Sequence, residues 1–281
     1  MKKLLLMGLM LATVQLAQAQ TQYVAPGKVY TFTATAAEGG GTISYQWFRN
    51  GEPISGATSQ NYLLPDNLAY GISVEFTRSA VSDICPGNTS YTNPFTVTFC
   101  DLFIGGICWA SANVAAPNKF APRPDMYTQF YQWNRLTAWA ATGDVSGWNS
   151  TADNSETWTV NPCPVGWRLP MQTEVQALTE TGSTWAVAHS SRGNAVNGRF
   201  YGPNSGYCAL PDNMTGCIFM AANGFRNNSD GVLHSRSLYG NYWSGTQHSA
   251  TNGYDLYFGS EGSDSNNYGY MAYGMTIRCV Q

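Results

Sequence analysis

"NPCPVGWRLPMQTEVQAL", residues 161–178, decides how the second half of the chain is read. Its second half reads as the start of a short helix. Pro170 suits a first helical turn, where the missing N–H costs nothing. Met171, Val175 and Leu178 fall at i, i+4 and i+7 and so share one face, expected to pack on a sheet. Gly182 is placed to stop the helix. After Gly198 the pattern changes to short β segments, "GRFYG", "CIFMAANGFRN", "NYWSGT", "YDLYFGS" and "MTIRCV", separated by Gly-, Asn- and Ser-rich stretches. Upstream, "FIGGICWASANV" (103–114) reads as a strand with a Gly-Gly kink. A Trp-rich region follows, with Trp133, Trp139, Trp148, Trp158 and Trp167. One helix and several short strands predict an α+β domain over residues 101–281.

Residues 22–100 keep a period of two. "KVYTFTATA" alternates Tyr30, Phe32 and Ala34 against Val29, Thr31 and Thr33, and "TISYQWF" alternates Ile43, Tyr45 and Trp47. "GISVEFTRSAV" and "PFTVTF" repeat the pattern with Ile72, Val74, Phe76 and with Phe95, Val97, Phe99. Asn50-Gly51 supplies a tight hairpin turn. Such strands, punctuated by Gly, Asn and Pro, predict an all-β sandwich.

The chain begins "MKKLLLMGLMLATVQLAQAQ". Lys2 and Lys3 precede a short apolar run, and Ala17-Gln18-Ala19 is an A-x-A cleavage site, so residues 1–19 read as a secretory signal peptide. No Cys follows the run, so there is no lipobox, and no later segment is apolar enough to span a bilayer. The expected location is secreted, extracellular or cell-surface. Net charge is −3 with only 11% charged residues and no basic stripe, which argues against nucleic acid as a partner.

Cysteines stand at 85, 100, 108, 163, 208, 217 and 279. In an exported chain these are disulfide candidates, and an odd number leaves at least one unpaired or paired between chains. The expected pairs are Cys163–Cys279 and Cys208–Cys217, the second closing the short turn-rich loop "CALPDNMTGC". Cys85–Cys100 is a further expectation that leaves Cys108 over. The three His (189, 234, 248) lie far apart without metal-site spacing, so neither a metal nor a cofactor is expected.

Two resemblances extend this reading. "YQWFRNGEPISGATSQNYLLP" (45–65) resembles the middle of a bacterial immunoglobulin-like domain, which implies Trp47 as the core tryptophan and Tyr70, in "DNLAYG", as a corner tyrosine. The inter-sheet disulfide of antibody domains is missing, with Phe32 and Ile72 near those positions. In the second half, "ICWASANV", "FYQWNR", "NPCPVGWRLPMQTEVQAL", "AANGFRNNSDG", "NYWSGT", "YDLYF" and "YGMTIRCV" occur in order. That series resembles the Fibrobacter succinogenes major paralogous domain, found in exported proteins of the Bacteroidetes and similar to C-type lectin-like folds. The resemblance covers nearly all of residues 101–281. It implies a small mixed sheet, one or two helices and close termini, and it supports Cys163–Cys279. Met171 departs from the family's Thr, although Glu174 of that capping pair remains, so the helix start is expected to be weaker by ~1 kcal/mol.

The C-type lectin likeness raises a calcium-bridged sugar site, which needs six or more oxygen ligands. Leu210-Pro211-Asp212-Asn213 lacks the first polar ligand, and Trp243-Ser244-Gly245 stands where Trp-Asn-Asp would be, so the site is disfavoured. No reactive Cys pair, Ser-His-Asp spacing or phosphate loop stands out, and no enzyme is expected. What remains is a non-catalytic binding or adhesion module for an extracellular glycan or protein. Tyr, Ser, Gly and Asn, which crowd the segment after Gly245, are the residues of adaptable recognition surfaces. Leu256 and Phe258 are expected in the core, with Asp255 and Tyr257 on the opposite face. The candidate ligand-binding residues, read as lying on loops, are Gln247, His248, Asn252, Tyr254, Asp264, Asn266, Asn267, Tyr268 and Tyr270. Alternatives are a structural surface or fimbria-associated component without a small ligand, and a variable protein of a diversity-generating retroelement, whose adenine-directed mutation would give this composition.

Overall fold

The computed structural model describes residues 20–24, 30–34, 37, 40–64, 73–100, 102–151, 158–210, 214 and 216–281. The expected signal peptide, Tyr70, Ile72 and residues 211–213 of the Cys208–Cys217 loop lie outside these. The described chain is mostly β-strand, in small antiparallel sheets, with one short helix. It divides into two compact units, one built mainly from Val29–Asp66 and Ser73–Thr98, the other mainly from Phe99–Gln281.

The first unit carries β1 (Gln20–Val24), β2 (Tyr30–Phe32), β3 (Ile43–Arg49), β4 (Glu52–Pro53), β5 (Tyr62–Leu64), β6 (Ser73–Ser82), β7 (Thr89–Tyr91) and β8 (Phe95–Phe99). One sheet runs in the order β1-β8-β6-β3-β4, with β7 on the far end of β6, while β2 pairs separately with β5. Period-two side chains make the core: Phe32, Trp47, Leu64, Val74, Phe76 and Val97 are all buried. The Phe32 ring, on the smaller pair, lies 5.8 Å from Trp47 and 5.1 Å from Phe76 on the larger sheet. The Trp47 indole N–H is satisfied by the Ser59 carbonyl at 2.9 Å. Asn50 and Gly51 both take positive φ, 49° and 84°, as a two-residue hairpin between β3 and β4 requires.

The second unit carries β9 (Leu102–Ile104), β10 (Ile107–Trp109), β11 (Val114–Ala116), β12 (Lys119–Phe120), α1 (Gln172–Glu180), β13 (Ser183–Ala186), β14 (Gly198–Tyr201), β15 (Ile218–Ala221), β16 (Phe225–Arg226), β17 (Leu233–His234), β18 (Gly240–Ser249), β19 (Asn252–Phe258) and β20 (Ser263–Tyr270). Two three-stranded sheets, β13-β14-β15 and β18-β19-β20, are joined by the pairs β9–β10, β11–β12 and β16–β17. The expected Gly-Gly kink is a hairpin instead. Gly105 and Gly106 take φ of 61° and 80° and turn β9 back onto β10.

The helix begins one residue later than its apolar spacing suggests. Pro170 and Met171 precede it, with Met171 at the N-cap in extended geometry, so the Met171 side chain is 58% exposed rather than part of the apolar face. Val175 and Leu178 are buried as spaced. Glu174 organises the start: its carboxylate accepts the Met171 N–H at 2.7 Å and a two-pronged bond from Arg168 at 2.6 and 2.7 Å. Burial pushes the Glu174 carboxyl up, but the Arg168 and Met171 bonds outweigh it and hold it below its ordinary value.

Three disulfides join Cys100 to Cys108, Cys163 to Cys279 and Cys208 to Cys217. The Cys85–Cys100 expectation is overturned. The β9–β10 hairpin brings Cys108 back to Cys100 with their Cα atoms 5.4 Å apart, and Cys85, in the turn after β6, is exposed and free. Disulfides of this number fit an oxidising, extracytoplasmic compartment. Among the described residues no helix is long and apolar enough to cross a membrane. The Cys163–Cys279 bridge spans 116 residues against 9 for Cys208–Cys217. Chain entropy therefore assigns the long bridge about 5 kcal/mol and the short one about 3 kcal/mol. Urea unfolding of the Cys163→Ser/Cys279→Ser and Cys208→Ser/Cys217→Ser pairs is expected to show the larger loss in the first.

Candidate functional site

The β18–β19–β20 sheet is covered from both sides, and this fixes what it can display. On one face Tyr242, Leu256 and Phe258 pack in a core with Val175 and Leu178 of α1. On the other, Trp243 packs with Trp133 and Met275, and its indole N–H reaches the Tyr131 carbonyl at 2.9 Å. Two glycines let these layers close. A Cβ on Gly253 would run into the Trp133 ring, and one on Gly269 into Met275.

Beyond the start of α1, β18, β19 and β20 carry a cluster of three rings. Tyr254 and Tyr268 are cross-strand partners. The His248 ring lies flat on Tyr268, with centroids 3.8 Å apart and planes 4° apart. It meets Tyr254 edge-on at 4.9 Å. His248 is exposed and Tyr268 is 51% exposed, while Tyr254 is half-buried. Such rings offer large, rigid contact area at low entropic cost.

Gln172, in the first turn of α1, ties the helix to this surface. Its amide donates to the Asn266 side-chain oxygen at 2.7 Å, and its backbone N–H donates to the Thr246 hydroxyl at 3.0 Å. Gln172 was not selected from the sequence; a polar residue in the first turn beside an expected strand is too common a pattern to single out.

The nine candidates thus separate. His248, Tyr254 and Tyr268 come together, and Asn266 joins them through the Gln172 tether. Asn267 turns away and donates to both oxygens of Asp255 at 3.1 and 3.2 Å. Asp264 is exposed and accepts the Asn266 N–H at 2.8 Å. Gln247, Asn252 and Tyr270 are half-buried on the same strands, outside the three-ring cluster. All nine lie on strands, which corrects the loop reading. Tyr, Asn and Gly look like loop composition, but here the glycines are points of close approach within a paired sheet.

The stretch Trp243-Ser244-Gly245 is turned inward. The Ser244 hydroxyl donates to the Tyr254 carbonyl at 3.0 Å, and the Gly245 N–H donates to the Pro170 carbonyl at 2.7 Å. Among the described residues no group of three or more His, Cys, Asp or Glu could hold a metal ion. Comparison with family models, with curated proteins and with solved structures returned no match.

Because α1 positions Gln172, its weak start bears on the cluster. Met171 stands at the N-cap without a side-chain cap bond. Met171→Thr supplies a hydroxyl there and is expected to raise stability by about 1 kcal/mol in urea unfolding.

Proposed function

We propose that this chain is an exported, surface-exposed recognition or adhesion protein without catalysis. In this reading an immunoglobulin-like sandwich precedes a C-type lectin-like domain of the Fibrobacter succinogenes major paralogous type. A glycan or protein ligand is held on the β18–β20 sheet, without calcium. The observation that carries the proposal is the exposed His248–Tyr268 stack with Tyr254 against its edge. Aromatic rings lie well against the apolar faces of sugars and anchor protein interfaces, where a few such residues dominate affinity. The site is also preorganised. Its strands are fixed by the tryptophan core behind and by Gln172 beside them, so little order remains to be gained on binding. The resemblances of the second-half motif series and of residues 45–65 support this domain reading, and the three disulfides suit an extracytoplasmic site of action.

The full chain, screened on a glycan array and against extracellular matrix and host surface proteins, is expected to bind at least one member. His248→Ala, Tyr254→Ala and Tyr268→Ala are each expected to weaken that binding about tenfold or more. Tyr91→Ala, a change at a 65% exposed tyrosine of the first unit, is expected to leave it unchanged. Failure to bind any member, with native assembly into a larger surface structure, would favour a structural component instead.

A further inference from the structure

Asp255 lies next to the ring cluster in sequence but faces the other way. It is 1% exposed, in the middle of β19, the central strand of the sheet. A carboxylate so buried needs a cation or several strong donors. Asp255 has neither. Its partners are two neutral amides: Asn241 of β18 donates to one oxygen at 3.2 Å, and Asn267 of β20 donates to both. The charged neighbour acting on it is another carboxylate, Asp264 of β20.

Among the described residues, the rungs of that face around Asp255 carry no positive charge. In the Asp255 rung stand Trp243 of β18 and Asn267 of β20, and in the next rung Asn241, Tyr257 and Asp264. Tyr239 packs on Tyr257 at 5.2 Å, and burial pushes the Tyr257 phenol up. Farther along, Trp133 and Met275 close over Gly253 and Gly269, and neither ionises. A second anomaly sits beside the first. The side-chain oxygen of Asn241, a residue 6% exposed, is buried without a hydrogen-bond partner. A buried acceptor left unpaired is destabilising, because it has lost its bonds to water and gained none.

One proton answers both. We propose that Asp255 is a proton-operated latch: in acid it is a neutral carboxylic acid that donates to the Asn241 side-chain oxygen and draws β18, β19 and β20 together, and above neutrality its ionisation loosens them. The donation requires the Asn241 amide to turn over, an orientation set by the hydrogen-bond network and not by the shape of the group. The proton comes from solvent and returns to it, and no other species is consumed. Burial, first, and then Asp264 push the Asp255 carboxyl up to about 6 against the two amides. The sign follows. A group whose folded value is raised from 3.8 gives stability that is complete below about pH 4 and lost as pH rises through about 6. Across that window the folding equilibrium falls by on the order of a hundredfold from this group alone. The Asp255–Asn267 rung adjoins the Tyr254–Tyr268 rung. Ligand affinity is therefore expected to fall over the same window, a consequence that rests on the proposed binding reading while the latch itself does not.

The test needs no ligand. The full chain with disulfides intact is unfolded in urea at pH 4.5, 6 and 8, beside Asp255→Asn, which keeps the shape and the neutral charge at every pH. The two are expected to match at pH 4.5 and diverge as pH rises, with Asp255→Asn the more stable at pH 8. A stability difference independent of pH, or a variant less stable at pH 8, overturns the latch. So does a Ca²⁺-dependent rise in wild-type stability at pH 8 that Asp255→Asn abolishes, because the cluster would then be a cation seat. If the variant does not fold, the Asp255 carboxyl carbon resonance of the wild type decides: a midpoint near 6 supports the latch, and one at or below 4 ends it.

Discussion

The second unit hangs on one extended segment, residues 274–280. Its backbone bonds outward at almost every step. Gly274 exchanges bonds with Arg226, Met275 with Tyr131, and Val280 with Arg168. Thr276 takes the Trp243 N–H and gives its own to Asn241, and the Ile277 and Cys279 carbonyls accept from Val114 and Ala110. Segments far apart in sequence are thereby joined along a single line, and Cys163–Cys279 locks that line covalently. Arg278, 1% exposed, adds a three-way clasp: its guanidinium reaches Asn113 at 2.7 Å, the Ala110 carbonyl at 2.9 Å and the Phe219 carbonyl at 2.8 Å. Removing it would orphan three buried acceptors at once, each worth about 1–3 kcal/mol when left unpaired.

That constraint explains why the ring cluster is where it is. The segment pairs with β18 through Thr276 and Tyr242, so the sheet order continues outward to β19 and β20. The helix covers one face and the Trp133–Trp243 layer the other. Only the stretch beyond the helix start is left open, and there the sequence places His248, Tyr254 and Tyr268. A stacked pair of rings on strands clamped from behind is held by the frame, whereas the same residues on free loops would lose entropy on binding.

Much of the frame was legible because it follows simple periods. The alternation that buries Phe32, Trp47, Val74, Phe76 and Val97, the Asn50-Gly51 turn, and Val175 with Leu178 each obey a rule that needs only near neighbours in sequence. The features that escaped depend on distant partners. Gly105-Gly106 reads as a kink until the pairing of β9 with β10 is known. Met171 has the right spacing for the apolar face, yet the N-cap geometry turns it outward. Gly253 and Gly269 look like loop glycines because the ring and thioether that forbid a Cβ there come from Trp133 and Met275. Asp255 looks like the outward residue of an amphipathic strand, and nothing local reveals that this face is buried as well.

Three buried arginines and Asp255 show two different solutions to one problem. Arg199, Arg226 and Arg278 are buried, and backbone carbonyls supply most of their partners: Gly259 and Ser260 for Arg199, Ala140, Gly143 and Gly231 for Arg226, and Ala110 and Phe219 for Arg278. A guanidinium keeps its charge at any ordinary pH, so carbonyl dipoles are a permanent answer, and the bonds serve as fixed ties between segments. Asp255 has no backbone N–H among its side-chain partners, only two side-chain amides that accept or donate equally well. A carboxyl in that setting has an alternative the arginines lack, because it can give up its charge. The arginine ties therefore keep their charge as pH changes, whereas Asp255, the one buried carboxyl among the described residues of the sheet that carries the rings, can lose its own.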